Sequence, residues 1–286
     1  MISKRSCHTY TTKQFLSVVQ SGPYPFSIMP TRLLLLFVLG CLCRNRMAAQ
    51  LNESDTLLFQ YNGALTANLQ SGNLEAASLR LKADASFSPS GLWAFKTQNT
   101  YRYQEFFDRK ADNDFSGRNF LYLWPRRRVY PFVLAFVSAN YRRRIDSRYF
   151  TGPGLTWQLL RSRRHVVKTA LSGVYESTAF SGTAYNHPEY NGRETIRTWR
   201  ASAWLFGKHT LAGGRLRCYY EAFFQPSLED GGNYRWQAEF SLEWPLWKGL
   251  GCTANYLFTH ENVVVEGVKA DDGLLTFGLV YSGRFK

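Results

Sequence analysis

Hydrophobic and polar residues alternate one by one along much of this chain. Between Asn233 and Leu246 they separate onto two faces: Tyr234, Trp236, Ala238, Phe240, Leu242 and Trp244 on one, and Arg235, Gln237, Glu239, Ser241 and Glu243 on the other. Successive side chains of a β-strand point to opposite faces, so this segment is predicted to be a strand with an aromatic side and a charged side.

The same alternation recurs about twelve times. The predicted strands cover residues 56–70, 74–87, 91–107, 115–124, 129–143, 148–160, 165–177, 193–206, 209–225, 233–245, 249–262 and 273–285. Each reaches or approaches the 9–11 residues that a tilted strand needs to cross a membrane. The pattern predicts an all-β fold, an antiparallel transmembrane β-barrel of about twelve strands, with its apolar face toward lipid. Alternation is less clean in the fourth to sixth segments, so the sequence does not decide which of their residues face the lumen.

Short and long connections alternate between these strands. Tight turns are predicted at 88–90, 125–128, 161–164, 207–208 and 247–248, and longer loops at 108–114, 144–147, 178–192, 226–232 and 263–272. The first hairpin, Ser71 to Asn73, is tight where a longer loop is due. Barrels of the outer membrane have short periplasmic turns and longer outer loops. We therefore expect the protein to lie in the outer membrane of a Gram-negative bacterium, with both termini in the periplasm.

Aromatic residues are predicted to form two bands, as expected at the two membrane interfaces. The band near the short turns comprises Trp93, Trp124, Tyr130, Trp204, Trp244, Trp247 and Tyr281, and the band near the long loops comprises Tyr101, Tyr103, Tyr141, Tyr149, Tyr220, Phe224, Tyr234 and Trp236. Ordinary aromatic enrichment of strands is the alternative explanation.

The N-terminal region is predicted to be a targeting segment. Leu33 to Cys43 form an apolar run of eleven residues, too short for a membrane-spanning helix and suited to a signal peptide. We assign residues 1–28 to an upstream extension that results from a wrongly chosen start codon, 29–50 to a cleaved signal peptide and 51–286 to the barrel. Two alternatives stay open: a genuine N-terminal extension, and a lipoprotein in which Cys41 carries the lipid.

Composition and charge favour one membrane domain. The 286 residues are 45% hydrophobic with a mean hydropathy of −0.31, which is too polar for a helical membrane protein. Six of 35 basic residues and none of 21 acidic residues lie in residues 1–50, so the formal charge of +14 falls to +8 in the remainder. That excess matches eight basic residues in short turns: Arg126, Arg127, Arg128, Arg161, Arg163, Arg164, Lys208 and Lys248. This distribution predicts a basic barrel rim beside a membrane surface and no nucleic-acid partner.

Metal and cofactor chemistry is not indicated by the sequence. Cys218 and Cys252 lie on the apolar phase with one strand between them, so both are expected to be lipid-facing thiols without a disulfide. No CxxC spacing is present, and we expect no metal, no cofactor and no catalytic residue.

Charged residues on the polar phase are predicted to form an ionic lattice inside the barrel. Its members are Arg80, Lys82, Asp84, Lys96, Arg102, Arg200, Arg215, Arg217, Glu221, Arg235, Glu239 and Glu243. Buried charges require such pairing. Acid–base catalysis by these carboxylates is the less favoured alternative.

Several stretches resemble a known family. They are the Gly72-Asn73 hairpin, the run ANYRRRIDSRYFTGPGLTWQLL from Ala139 to Leu160, and the late blocks NYRWQAEFSLEWPLWKGLGCTANYLFTHEN and LLTFGLVYSGRF. Over residues 60–286 the chain resembles the salt-induced outer-membrane proteins, a family of unknown function. The resemblance implies an outer-membrane barrel and assigns no reaction. The Arg-rich turn at 125–128 and the final Lys286 depart from the pattern.

Three functions are weighed. The favoured one is a small monomeric barrel that acts as a narrow, anion-preferring pore or as a structural or stress-related protein, with outer-membrane lipids, small solutes and the barrel-assembly machinery as partners. A lipid-acting enzyme would need a base such as His260, but we expect only Tyr234, Trp236, Leu275 and Phe277 around that ring, with no Ser or carboxylate. A soluble lipocalin-like barrel that binds a ligand is the third.

Overall fold

A single closed sheet makes up most of the described part of the chain. The computed structural model describes residues 51–54, 57–70 and 76–285. The strands are β1 Phe59–Gln70, β2 Ala76–Phe87, β3 Trp93–Phe106, β4 Arg109–Leu123, β5 Val129–Asn140, β6 Ile145–Arg161, β7 His165–Phe180, β8 Thr195–Leu211, β9 Leu216–Pro226, β10 Tyr234–Trp247, β11 Leu250–Glu261 and β12 Asp271–Phe285. Two short 3₁₀ helices, Pro188–Tyr190 and Ala212–Gly214, lie in connections.

Strands that follow one another in the chain pair antiparallel, and β1 pairs with β12. In that closing pair Phe59 lies opposite Phe285 and Leu65 lies opposite Leu279. Closure leaves the sheet without an exposed edge, which is the condition for a sheet to sit in a bilayer. The predicted antiparallel barrel of twelve strands is confirmed.

The two ends of the barrel differ in their connections. We call one end the turn rim; it carries residues 88–92, 124–128, 162–164, 212–215 and 248–249, and β1 begins and β12 ends there. The opposite end is the loop rim, with residues 107–108, 141–144, 181–194, 227–233 and 262–270. The predicted alternation of short and long connections holds from β6 onward. Before β6 it fails, because residues 107–108 and 141–144 on the loop rim are shorter than residues 88–92 and 124–128 on the turn rim.

The outer face of the barrel is apolar. Large side chains there stay open to the surroundings, including Phe277 at 66% and Leu171 at 65% exposure. The residues that alternate with them along the strands face the lumen and are buried, as Ser172 and Val174 of β7 show. A continuous apolar exterior of this kind is costly in water and fits lipid, so the fold is a transmembrane barrel rather than a lipocalin-like soluble one.

Three predicted connections are wrong, one of them the loop expected at 144–147, which lies at 141–144. The loop expected at 108–114 is strand: β3 and β4 are joined by Phe107 and Asp108 alone, both with positive φ, which is the geometry of a tight two-residue hairpin. The turn expected at 207–208 lies instead at 212–215, where Gly213 and Gly214 take φ of 67° and 101°. Lys208 is consequently a strand residue and not part of a basic turn.

The aromatic bands need one correction. Tyr130 and Trp204 were expected at the membrane interface, but they are 0% and 9% exposed and lie inside the barrel. Tyr130 follows the inner face of β4 to β6, where Phe120, Phe132 and Phe150 also point inward. Trp204 of β8 packs against the same cluster. Most other band members, such as Trp124 and Trp247, are exposed on the outside.

The cysteine prediction is confirmed where the structure tests it. Strand β10 separates β9, which carries Cys218, from β11, which carries Cys252, and the two form no disulfide with each other. Cys218 lies opposite the outward-facing His209, and Cys252 lies opposite the exposed Trp244.

Several predictions concern parts of the chain that are outside the described residues. These are the upstream extension, the signal peptide and Cys41, the Gly72-Asn73 hairpin and Lys286. Among the residues that are described, no helix has the length and apolarity to cross a membrane.

Candidate functional site

The lumen holds a network of buried charges centred on Glu176 of β7. The Glu176 carboxylate lies 3.1 Å from Arg200 Nε, 2.5 Å from Arg235 Nη2 and 3.8 Å from Arg148 Nε. All four side chains are less than a tenth exposed. Three guanidinium groups around one carboxylate leave a local excess of positive charge, which a second acid on a nearby strand reduces.

That second acid is Glu261, the last residue of β11. Arg148 donates to both of its oxygens, at 2.7 and 2.8 Å, in the paired geometry that suits guanidinium and carboxylate groups. Arg143, from the loop rim, approaches the same carboxylate at 3.9 Å. Sequence reasoning missed Glu176, Glu261 and Arg148, although Arg148 stands in one of the stretches that carry the family resemblance.

A second group of charges joins β2, β10 and β11. Lys82 Nζ and Arg80 Nη2 lie 3.5 and 4.0 Å from Glu239 Oε1. Arg80 also donates to Asn255 and Thr276. Glu239 is shared by the two cations, and the buried Asp84 is the second acid close to them.

The remaining predicted lattice members mostly find partners. Arg102 contacts Asp112 at 2.8 Å and Asp114 at 2.5 Å, Glu221 pairs with Arg118, Arg217 lies 3.9 Å from Glu243, and Lys96 lies 3.9 Å from Glu53. Asp84 is buried in the field of Lys82 and Lys96, and among the described residues it makes no ion pair within 4.0 Å. The structure places eleven of the twelve residues on the lumen face of their strands.

Arg215 is the exception and corrects the prediction. It lies in the turn that precedes β9, with an exposed side chain and a helical backbone conformation. The error follows from the misplaced turn: Gly207 continues β8 because the Tyr220 ring packs over it, where a Cβ atom would come within 2.0 Å of the ring. The chain therefore reverses later, at the two glycines next to Arg215.

A cavity opens between these charges on the loop-rim side of the lumen. It consists of two adjoining spaces of about 150 and 170 Å³ that share Arg80, Ser116 and Arg148 as walls. We call it the loop-rim chamber. Its charged lining is seven basic and four acidic residues: Arg80, Lys82, Arg102, Arg118, Arg143, Arg148 and Arg235, against Asp114, Glu239, Glu261 and Asp272. Three of these cations, Arg102, Arg118 and Arg235, also contact acids outside the lining, namely Asp112, Glu221 and Glu176.

The floor of the chamber is aromatic. Towards the turn rim the lumen is filled by a cluster that we call the aromatic cluster: Ala94, Phe120, Tyr122, Tyr130, Phe132, Leu134, Phe150, Val174 and Trp204. Two chamber cations rest on its rings, Arg118 at 5.9 Å from Trp204 and Arg235 at 5.1 Å from Phe150. These distances fit cation–π contacts, so the boundary between the two halves of the lumen is itself stabilised.

Residues 51–54 close the lumen at the turn rim. Leu51, Glu53 and Ser54 are 3%, 5% and 0% exposed. Glu53 Oε1 accepts hydrogen bonds from Lys168 Nζ and from the Tyr130 hydroxyl, both at 2.7 Å. Burial raises the pKa of the Glu53 carboxyl, but Lys168 and Lys96 outweigh it and hold this pKa at about 2. The segment therefore carries a negative charge at neutral pH.

On the outer face, His260 has a partner that sequence reasoning missed. Its Nδ1 lies 2.7 Å from Asp271 Oδ1, and its ring stacks on Tyr234. The expectation that no carboxylate would orient His260 is wrong, because β12 begins at Asp271, two residues earlier than predicted. Within the described residues, no three or more His, Cys, Asp or Glu are placed to hold a metal ion.

Comparison with known proteins gives one family match and several similar folds. The family model described as "Protein of unknown function, DUF481" matches residues 64–282. No curated protein matches the chain. Among solved structures, it is similar to a NanC porin, with 11% identity over 80% of this chain and 99% of that chain and a TM-score of 0.45. It is also similar to the translocator domain of the autotransporter NalP from Neisseria meningitidis, with 11% identity over 88% and 94% of the two chains and a TM-score of 0.41.

Proposed function

The chain belongs to the family of unknown function DUF481, and on that premise we propose a function from its lumen: a narrow outer-membrane barrel that admits small anionic solutes. The observation that carries the proposal is the lining of the loop-rim chamber, where seven basic residues face four acidic ones. Rings of basic side chains lower the energy of an anion inside a pore and raise that of a cation.

The size of the chamber limits the solute. Spaces of about 150 and 170 Å³ accommodate molecules of a few heavy atoms. A barrel of twelve strands lies between the eight-stranded barrels that side chains fill and the 16- to 18-stranded ones that leave a wide channel. A small anion is therefore the solute that the lumen suits.

The apolar exterior supports placement in the outer membrane of a Gram-negative bacterium. In this proposal the turn rim and both termini are periplasmic, the loop rim faces outward, and the protein works as a monomer surrounded by outer-membrane lipids. The barrel-assembly machinery would insert it. The salt-induced part of the resemblance is a separate proposal, tested by measuring the protein's abundance after cells are moved to high salt.

Reversal potentials in a planar bilayer under a salt gradient test the solute class. We expect small conductance steps with a preference for anions. Replacing the two chamber cations that share Glu239, as Arg80→Gln with Lys82→Gln, should move the selectivity toward no preference, because the excess of positive charge at the solute is reduced.

Arg215→Gln provides the matched control. It removes the same kind of charge from an exposed turn outside the chamber, so selectivity should stay close to that of the original protein. Cation preference, absence of conductance in every variant, or equal effects of the chamber variant and Arg215→Gln would contradict the proposed function.

A further inference from the structure

The closed end of the lumen contains a built site for a carboxylate, which the chain itself occupies. Glu53 Oε1 accepts from Lys168 Nζ and Tyr130 Oη, and Lys96 Nζ lies 3.9 Å from the other oxygen. Lys96, Tyr130 and Lys168 come from three strands, β3, β5 and β7, and each stands within four residues of the turn rim. Two hydrogen-bond donors and a further positive charge thus converge on one carboxylate from the walls of the barrel.

The two lysines depend on that carboxylate. Lys96 and Lys168 are 6% and 4% exposed, and among the described residues Glu53 is the acid within 4.0 Å of both. A buried ammonium group that loses its counter-charge is strongly unfavourable. If residues 51–54 leave the lumen, an anion that takes the position of the Glu53 carboxylate restores the counter-charge of both lysines.

The contacts that hold the segment can be exchanged for solvent. Arg161 donates to the Ser54 carbonyl at 2.9 Å, Gln60 donates to the Asn52 carbonyl at 3.0 Å, and Lys168 donates to the Asn52 side chain at 2.7 Å. Leu51 is the one apolar side chain among the four described residues of the segment. Hydrogen bonds of this kind contribute little net stability when water can replace them, so withdrawal of the segment is not prevented by packing.

We propose that Glu53 is a tethered substitute for a small carboxylate solute, and that Lys96, Lys168 and Tyr130 form a second anion site at the turn-rim end of the lumen. The solute competes with Glu53 for this site, and its binding displaces residues 51–54 from the lumen. The inference goes beyond the proposed function: because the aromatic cluster fills the lumen next to the site, the solute reaches it from the turn rim.

The surroundings define the class of ligand further. Tyr130 packs edge-on against Tyr122 at 5.7 Å between ring centroids, and Lys168 lies 5.9 Å from the Tyr130 ring. Beyond Lys96, Tyr130 and Lys168 the wall is therefore aromatic, and an uncharged body fits it. The site is suited to a small monocarboxylate whose remainder is uncharged.

The test compares Glu53→Gln with Glu194→Gln, an exposed loop residue, in protein purified from membranes. The unfolding temperature is read from the heat-dependent shift in gel mobility, in sodium acetate and in sodium chloride at equal ionic strength. We expect acetate to raise the unfolding temperature of Glu53→Gln specifically, because the vacated lysines bind it. The original protein and Glu194→Gln should respond equally to the two salts. The same acetate response in all three proteins, or in none, would overturn the proposal.

A charge exchange covers the case in which Glu53→Gln does not fold. Lys168→Glu alone should destabilise the barrel, since two carboxylates then meet. Combining it with Glu53→Lys should restore the heat-dependent shift, because the pair is re-formed with its signs reversed. If the double variant is no more stable than Lys168→Glu, the two side chains do not interact as proposed and the inference falls.

The outcome also separates this inference from the proposed pore. Acetate-specific stabilisation of Glu53→Gln together with silent bilayers would support the carboxylate site and contradict the pore. Anion-selective conductance that is the same in the original protein and Glu53→Gln, without an acetate effect on stability, would support the pore and overturn the carboxylate site.

Discussion

The two halves of the lumen are filled in different ways. On the loop-rim side, charges that are only partly compensated surround an open chamber, with Glu176 and Glu239 each shared by more than one cation. On the turn-rim side, the aromatic cluster and residues 51–54 fill the space, and Ala94, Tyr130, Leu134 and Val174 are fully buried. One half has the character of a solute-binding surface and the other that of a protein core.

The turn-rim half of the lumen therefore contributes mainly to stability, and the loop-rim half offers the surface for a solute. Aromatic packing gains free energy by excluding water and needs no partner of a particular charge. A network of ion pairs is held in the lumen only if every charge is paired or solvated, and it leaves positions where a mobile anion can join. The turn-rim half should therefore tolerate changes of charge poorly at Glu53, its lysines and the Arg217–Glu243 pair. The loop-rim half should tolerate them poorly at its shared acids.

The largest effect is expected at the shared acid of the loop-rim half. Glu176→Gln leaves Arg148, Arg200 and Arg235 without their common counter-charge. Breaking such a buried cluster should lower the free energy of unfolding by about 4 kcal/mol. Urea-induced unfolding in lipid vesicles measures it, with the exposed Glu194→Gln as control. Equal stability of the two variants would show that water already screens the cluster.

The aromatic half should lose stability through a cavity rather than through charge. Phe132 is 3% exposed and lies 6.0 Å from Phe120 and 5.8 Å from Tyr122 between ring centroids. Phe132→Ala should cost about 3 kcal/mol of unfolding free energy. Its neighbour Val133 faces lipid at 50% exposure, so Val133→Ala in the same assay should cost well below about 1 kcal/mol. Similar losses in both variants would argue against a packed lumen.

A pair of glycines tests the tight packing between β6 and β7. A Cβ atom on Gly152 would come within 1.9 Å of the Gly173 carbonyl oxygen, whereas one on Gly173 would meet nothing within 4 Å. Gly152→Ala should therefore destabilise the barrel by about 2 kcal/mol through forced separation of the backbones. Gly173→Ala should leave the midpoint of unfolding nearly unchanged. A larger loss of stability in Gly173→Ala than in Gly152→Ala would show that β6 and β7 do not approach each other closely at Gly152.

The closed end should also depend on pH. Lys168 and Lys96 outweigh burial and hold the pKa of Glu53 at about 2, below its ordinary 4.5. Docking of the segment is therefore strongest above pH 4.5 and weakens as the pH falls toward 2, by about tenfold per pH unit. Conductance in planar bilayers should rise over this interval and should be independent of it in Glu53→Gln. A rise of equal size in Glu53→Gln would assign the effect to other groups.

The difference between the two halves of the lumen also explains which residues the sequence assigns to the correct face. Where the lumen face is polar, as in β2, β3 and β10, alternation is visible in the sequence and assigns residues such as Arg80 and Glu239 correctly. In β5 both faces are apolar, because Tyr130 and Phe132 point into the aromatic cluster while Val129 and Val133 point to lipid. Periodicity disappears there, so the sequence could not reveal that Tyr130 is a lumen residue.

Long-range partners account for the rest of what was missed. Glu53 stands outside every strand, and its role depends on Lys96, Tyr130 and Lys168, which follow it by 43, 77 and 115 residues. No local pattern encodes such an approach. The hairpin at Phe107-Asp108 was not predicted for a local reason. It lacks the glycine or asparagine that normally marks a two-residue turn with positive φ.

Access of a negatively charged thiol reagent to the two halves of the lumen tests the central claim most directly. Ser116→Cys places a thiol on the wall of the loop-rim chamber, and Thr156→Cys, opposite Tyr130, places one beside residues 51–54. With the other cysteines replaced by Ala, we expect rapid reaction at position 116 and protection at position 156, with protection lost when Glu53→Gln is added. Equal reaction at both positions in the presence of Glu53 would contradict a lumen divided into an open basic half and a closed aromatic half.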